Sequence, residues 1–268
     1  MREPYPAPAV VVGVDGSKAA THAAQWAVEE AISRDIPLRL VYVIDPLDSP
    51  GAWAYEGRLA AAHTALHDAE RAAAGAGKLV KIETEILWGK PLTKLMEESR
   101  SAAMVCVGSI GLNHACHGGG SVAAALAEEA LCPVAVIRRP VGRPATARVG
   151  SVVVEAHNGV VLRHAFEEAR LRGAPLRAIS VSRAGATDDA GGGSRLAQAQ
   201  LTRRMARWTR LYPDVQVEST VVSGNVERYL AANENSDQLF VTDSHNCYDL
   251  CRAYNAGCCV FAIRCSNL

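Results

Sequence analysis

The chain has 268 residues, 28 Lys+Arg against 28 Asp+Glu, and 49% hydrophobic residues. That length suggests two domains of ordinary size. The even charge disfavours nucleic acid and anionic membrane as primary partners, and no apolar run approaches the ~18 residues of a membrane span. Met1 to Pro8 does not read as a signal peptide, so a cytoplasmic location is expected, with the eight cysteines as free thiols.

After a Pro-rich entry, Val10 to Val14 reads as an apolar strand, with Asp15-Gly16-Ser17 as its turn. Ser17 can cap a helix over Ala19 to Ser33, whose alanines and Val28 recur on one face. Pro37 precedes a second apolar strand, Leu38 to Val43. A turn-rich loop is expected over Asp45 to Gly57, then a helix over Leu59 to Ala74, a strand over Lys81 to Leu87, and a short helix over Pro91 to Glu98. Met104 to Val107 is a buried strand. It leads into glycines at 108, 111, 118, 119 and 120, then Ser121 and an alanine-rich helix, Val122 to Leu131. Val134 to Ile137 closes this half.

These alternating elements predict an α/β fold: an open parallel sheet with helices on both faces. The glycines let the backbone take φ > 0 and approach a ligand, and the helix behind them presents unpaired N–H groups suited to phosphate. A plain strand-to-helix turn is the competing reading. Asp15 could likewise be only a turn former, or could accept a ribose hydroxyl. If the first and fourth strands are neighbours, the Asp15 turn and the Gly108 loop form one crevice at their carboxyl ends.

Arg138 to Gly150 has a linker's composition, and beyond it the chain repeats itself. Trp26–Val43 lies over His164–Val181 with nine of eighteen positions identical, and Gly89–Ser109 lies over Gly224–Ser244. Two domains are therefore expected, 1–140 and 150–268, the second a degenerate copy. In it Glu155 or a neighbour stands for Asp15, and Asp243-Ser-His-Asn246 stands for Gly108-Ser-Ile-Gly111. The interval from Ser109 to Cys132 is 23 positions and that from Ser244 to Cys258 is 14. The second copy is thus expected to lack a phosphate site. His114, Cys116 and His117, and His245, Cys247 and Cys251, cluster without the spacing of a structural zinc site, so no metal is expected.

Val-Gly-Val-Asp15-Gly-Ser, Val41-Tyr-Val43-Ile, Gly89-Lys-Pro91, the glycine loop and Cys132-Pro133-Val134 together resemble the universal stress protein family in its tandem form. The resemblance implies two five-stranded parallel sheets in order 3-2-1-4-5. In the ATP-binding branch it implies Asp15 and Val43 for the nucleoside, and Gly108, Gly111, Gly120 and Ser121 for the phosphates. Between Gly111 and Gly120 this chain has eight residues where the family pattern has nine. Either a tighter turn delivers Gly120 and Ser121 to the helix, or the cradle is distorted. The leading expectation is an ATP-binding stress-response regulator that is not an enzyme of rapid turnover, slow turnover of ATP being left open, with Mg as an optional companion of the nucleotide. A scaffold of the same fold without nucleotide is the alternative. No catalytic constellation supports a nucleotide-cleaving enzyme.

Val134–Arg138 and Val260–Arg264 end the two copies alike. The resemblance implies that such last strands pair edge to edge, here as an internal pseudo-dimer, with a homodimer of chains as a further expectation. Val136→Pro, which removes a backbone donor, should then separate the domains in scattering and expose the linker to proteolysis. An unchanged profile would refute the pairing.

Overall fold

The computed structural model describes residues 8–46, 52–75, 77, 79–109, 122–138, 149–182, 192–233, 237–244 and 258–265. The chain divides into two compact units, Met1–Arg139 and Pro140–Leu268. The first runs β1 (Val10–Val14), α1 (Lys18–Arg34), β2 (Leu38–Ile44), α2 (Ala52–Ala74), β3 (Ile82–Trp88), α3 (Pro91–Glu98), β4 (Met104–Gly108), α4 (Val122–Glu129) and β5 (Val134–Ile137). The second runs β6 (Ser151–Glu155), α5 (Gly159–Arg172), β7 (Leu176–Ser182), α6 (Gly192–Leu211), β8 (Val217–Ser223), α7 (Val226–Ala232), β9 (Gln238–Asp243) and β10 (Cys259–Ile263).

Within the first unit the strands lie β3-β2-β1-β4-β5, and within the second β8-β7-β6-β9-β10, all neighbours parallel. Each is the 3-2-1-4-5 order. Val10, Val11 and Val12 of β1 are fully buried, as a central strand covered on both faces requires. α1 packs beside α2, and α3 beside α4. Helix α1 turns Ala20, Ala23, Ala24, Ala27, Val28 and Ala31 inward and ends on Asp35 in the left-handed region, φ 52°.

Structural details repeat between the units. Glu30, fully buried, pairs with Arg34 at 3.2 Å, and Glu168, 2% exposed, sits 3.5 Å from Arg172 at the same place on α5. Gly89 and Gly224, each just before the short helix, have φ of 141° and 106°. These two are positions where the turn itself requires glycine.

Three sequence expectations are corrected. Helix α2 begins at Ala52, inside the stretch expected as loop. The Ala-Trp-Ala-Tyr-Glu run consists mostly of adequate helix formers, Gly57 meets nothing that a Cβ would strike, and Tyr55 stacks on Trp88 at 5.0 Å and 6°. Helix α4 stops at Glu129, because the Leu131 N–H leaves the helix to donate to Ser99 Oγ at 3.1 Å. Gly108 does not adopt positive φ. A Cβ there would lie 2.3 Å from the backbone carbon of Ala19 and 2.4 Å from the Ala20 nitrogen. Close approach of the first turn of α1 is what demands glycine.

Gly108→Ala should therefore destabilise the first unit by about 1–3 kcal/mol, the range for overpacking, in urea unfolding. Stability equal to the parent would mean that α1 can move away freely.

Candidate functional site

In the order β3-β2-β1-β4-β5, β1 leads by α1 to β2 on one side, and β4 leads by α4 to β5 on the other. Between β1 and β4 the direction of connection reverses, and a crevice opens outside their carboxyl ends where ligands of such sheets bind. Asp15 follows β1, Val43 lies near the end of β2, and Gly108 ends β4. Three of the six residues expected to bind nucleotide therefore sit at the ends of adjacent strands. Gly111, Gly120 and Ser121 lie outside the described residues, as do His114, Cys116, His117, His245, Cys247 and Cys251.

The Asp15 carboxylate is exposed, and its Oδ1 accepts from the Ser17 N–H at 2.9 Å. Gly16 turns with φ 81°, and Ser17 caps α1, its Oγ accepting from Ala20 N–H at 3.1 Å. One carboxylate oxygen thus fixes the turn, and the other makes no hydrogen bond among the described residues. Neither α1 nor α4 carries an acid in its first turn, so the partial positive charge of each N-terminus is not offset there. Lys18 opens α1 and Lys90 caps α3; both are exposed. Val43 lies one residue past the last β1–β2 pair, Val14↔Tyr42, so its β1 side is beyond the ladder.

Two features escaped the sequence reading. Tyr55 and Trp88 form a flat aromatic pair, 47% and 39% exposed, with Trp88 beside Ile44 at the end of β2. Only the early start of α2 brings them together, and no motif signals it. Ser109, next to Gly108, donates its N–H to Ile137 O at 3.0 Å, and its Oγ is buried without a partner among the described residues. Ser244 does the same against Ile263 O at 2.8 Å, with an equally unpaired Oγ. Because both copies share it, this orphan hydroxyl belongs to the fold and does not mark a phosphate site.

Strand register locates the equivalent residues of the second unit. Gly13 pairs with Val41 and Glu155 with Ile179, so Glu155 replaces Gly13. The counterpart of Asp15 is therefore His157, whose Nδ1 lies 3.6 Å from Glu155 Oε2. Asp243 occupies the Gly108 position. Burial, helped by a hydrogen bond to Asp243 and by that carboxylate's charge, raises the neighbouring Cys265 thiol to about 11. An acid at this point repels phosphate, in keeping with a second copy without a phosphate site.

Among the described residues no group of three His, Cys, Asp or Glu could hold a metal ion, and no helix is long and apolar enough to cross a membrane. Cys106, Cys132, Cys258, Cys259 and Cys265 are free thiols.

The family sequence profile of the universal stress proteins matches residues 8–138, the first unit. A universal stress protein of Mycobacterium tuberculosis is 60% identical over 269 residues, covering all of both chains. Another from that organism is 44% identical over 252 residues, covering 90% of this chain and 87% of its own. The crystal structure of a universal stress protein from Archaeoglobus fulgidus aligns over 97% of each chain with a TM-score of 0.68 at 14% identity, a likeness of fold. The chain belongs to the universal stress protein family.

Burial pushes the Cys132 thiol, at the entry to β5, from the ordinary 9.0 up to about 12. The folded thiol keeps its proton while the unfolded one ionises, so the unfolded chain binds fewer protons between about pH 9 and 12. Stability from this group is full below that window and falls as pH rises through it, by up to ~1.4 kcal/mol per pH unit. Urea titrations of Cys132→Ala should show a shallower alkaline decline than the parent. An identical slope would exclude Cys132 as its source.

Proposed function

We propose that the first unit binds an adenine nucleotide, ATP in the leading reading, and that the protein is a cytoplasmic, nucleotide-dependent stress-response regulator without rapid turnover. The observation that carries this is the convergence of Asp15, Val43 and Gly108 on one switch-point crevice, beside the N-terminus of α1, whose first turn carries no acid. The free oxygen of Asp15 suits a ribose hydroxyl. The backbone of Val43, past the end of its ladder, suits the base. The phosphates would lie toward α4, between the end of β4 and Val122. Magnesium would ride on the phosphates and is not required by any protein ligand set among the described residues.

One observation favours the alternative, a scaffold that binds no nucleotide. The contact between Gly108 and Ala19 explains that glycine fully without a ligand. Gly108 is therefore a poor probe of binding, and Asp15 is the better one.

ATP should raise the melting temperature of the full chain, since a ligand at ~100 times its dissociation constant stabilises by about 2.7 kcal/mol. Asp15→Ala should abolish the rise, whereas Asp15→Asn, which keeps the acceptor for the Ser17 N–H, should retain part of it. Comparing each variant with its own ligand-free melting point removes the separate cost of the lost turn. No shift of the parent at millimolar ATP would establish the scaffold reading. Fast loss of ATP, followed by phosphate release, would overturn the absence of turnover.

A further inference from the structure

Helix α6 carries Arg195, Arg203, Arg204, Arg207 and Arg210 between Gly192 and Leu211, with no acidic residue and no lysine. Its counterpart α2 mixes signs, with Arg58 and Arg71 against Glu56, Asp68 and Glu70. At ~100° per residue, Arg195, Arg203, Arg207 and Arg210 fall within a sector of roughly 120°. Leu201 and Met205, each 3% exposed, lie on the opposite side, and Trp208 there stacks on Phe166 and Tyr212. The apolar face of α6 is thus already used by its own core. Arg195, Arg203 and Arg207 are exposed and make no ion pair among the described residues. Arg210 reaches only its own helix, at Ala206 O, and Arg204 turns away to Ala156 O.

Beside this row runs a shallow groove between α6 and β8, with Arg195 and Arg203 on its rim and Ala199, Ala206 and Val221 among its lining. The Gln198 amide closes its strand side: Nε2 donates to Ser219 O at 3.1 Å, and Oε1 accepts from Val221 N–H at 3.2 Å. Those outward backbone groups are taken, so an occupant is not held there as an added strand.

We infer that this face docks an acidic, extended segment of a partner protein. Four guanidinium groups, spread over ~22 Å of helix, match about seven residues of extended chain at ~3.3 Å each. Each can hold a carboxylate through two parallel hydrogen bonds, and the small apolar lining accommodates alanine-sized side chains between them. A membrane is disfavoured because the large apolar side chains that α6 exposes among the described residues, Leu196 and Leu211, lie near its two ends and form no continuous face to insert. Nucleic acid is disfavoured because the cations form a single row, and the groove beside it adds only Gln198, Ala199, Thr202, Ala206, Thr220 and Val221 to Arg195 and Arg203. No stacking aromatic is free on this face either, Trp208 being held by Phe166 and Tyr212. The inference is independent of nucleotide binding.

The test is fluorescence anisotropy of a labelled peptide of alternating Glu and Ala, titrated with the full chain at low salt. Binding that weakens with added salt and falls about tenfold or more in Arg203→Ala/Arg207→Ala/Arg210→Ala is expected. These exposed side chains have no acidic partner among the described residues, so the triple variant should keep the parental melting temperature, and Gln198 stays in place. Absence of peptide binding by the folded parent, or equal binding by the triple variant, would overturn the inference. So would tighter binding of a DNA duplex or of anionic vesicles than of the peptide. Binding that appears only in Asp188→Asn/Asp189→Asn would make the chain's own preceding residues the occupant. Salt-sensitive self-association lost in the triple variant, without peptide binding, would make the occupant a second copy.

Discussion

The geometry of the first unit hangs on how closely the first turn of α1 approaches the end of β4. A methyl group at Gly108 would sit far inside van der Waals contact with the α1 backbone, 2.3 Å from Ala19 C. Behind that contact the helix can lie against the sheet because its inward residues are alanines and a valine. The approach fixes where α1 begins, and the Asp15–Ser17 turn secures that beginning with two short-range hydrogen bonds. The positive end of the helix, the Asp15 carboxylate and the end of β4 are thereby held as one rigid corner.

The second unit shows what happens when the contact is given up. Helix α5 has 14 residues where α1 has 17, and Asp243 stands where glycine was required. The two changes belong together, since a helix that starts later leaves room for a side chain at the strand end. Both copies keep the buried Glu–Arg pair, the left-handed helix ends at Asp35 and Gly173, Gly89 with Gly224, and the Ser109 or Ser244 N–H bond to the last strand. Breaking a buried pair would leave an uncompensated charge inside, and L side chains rarely adopt the φ of those glycines. Residues that hold the fold were retained, while Asp15 and Gly108 gave way to His157 and Asp243.

Much of this was readable from the residues. The strands β1 and β5 and the helix α3 have the bounds expected from apolar runs and Pro91, because continuous burial leaves a one-dimensional mark. The repeat was legible because nine identities fall in the segment that packs α1 and α5 on their sheets. What was not legible depends on contacts across space. The helical start of α2 is tied to Trp88, more than thirty residues away. The need for Gly108 comes from Ala19, not from its own φ. The counterpart of Asp15 is His157 because strand register, not residue chemistry, decides equivalence.

The even net charge hides a difference between the two units. The even count of 28 against 28 divides into thirteen Lys+Arg against sixteen Asp+Glu in the first unit, and fifteen against twelve in the second. All fifteen basic residues of the second unit are arginine. A guanidinium stays charged at any pH the fold tolerates and offers a planar fork of donors, which a lysine ammonium does not. A row of them on one helix face is therefore a fixed electrostatic feature, tuned by salt and not by pH. Such a row repels itself, so it is stabilised by an anion that meets several arginines at once. The absence of acids from α6 leaves that anion to come from outside the helix.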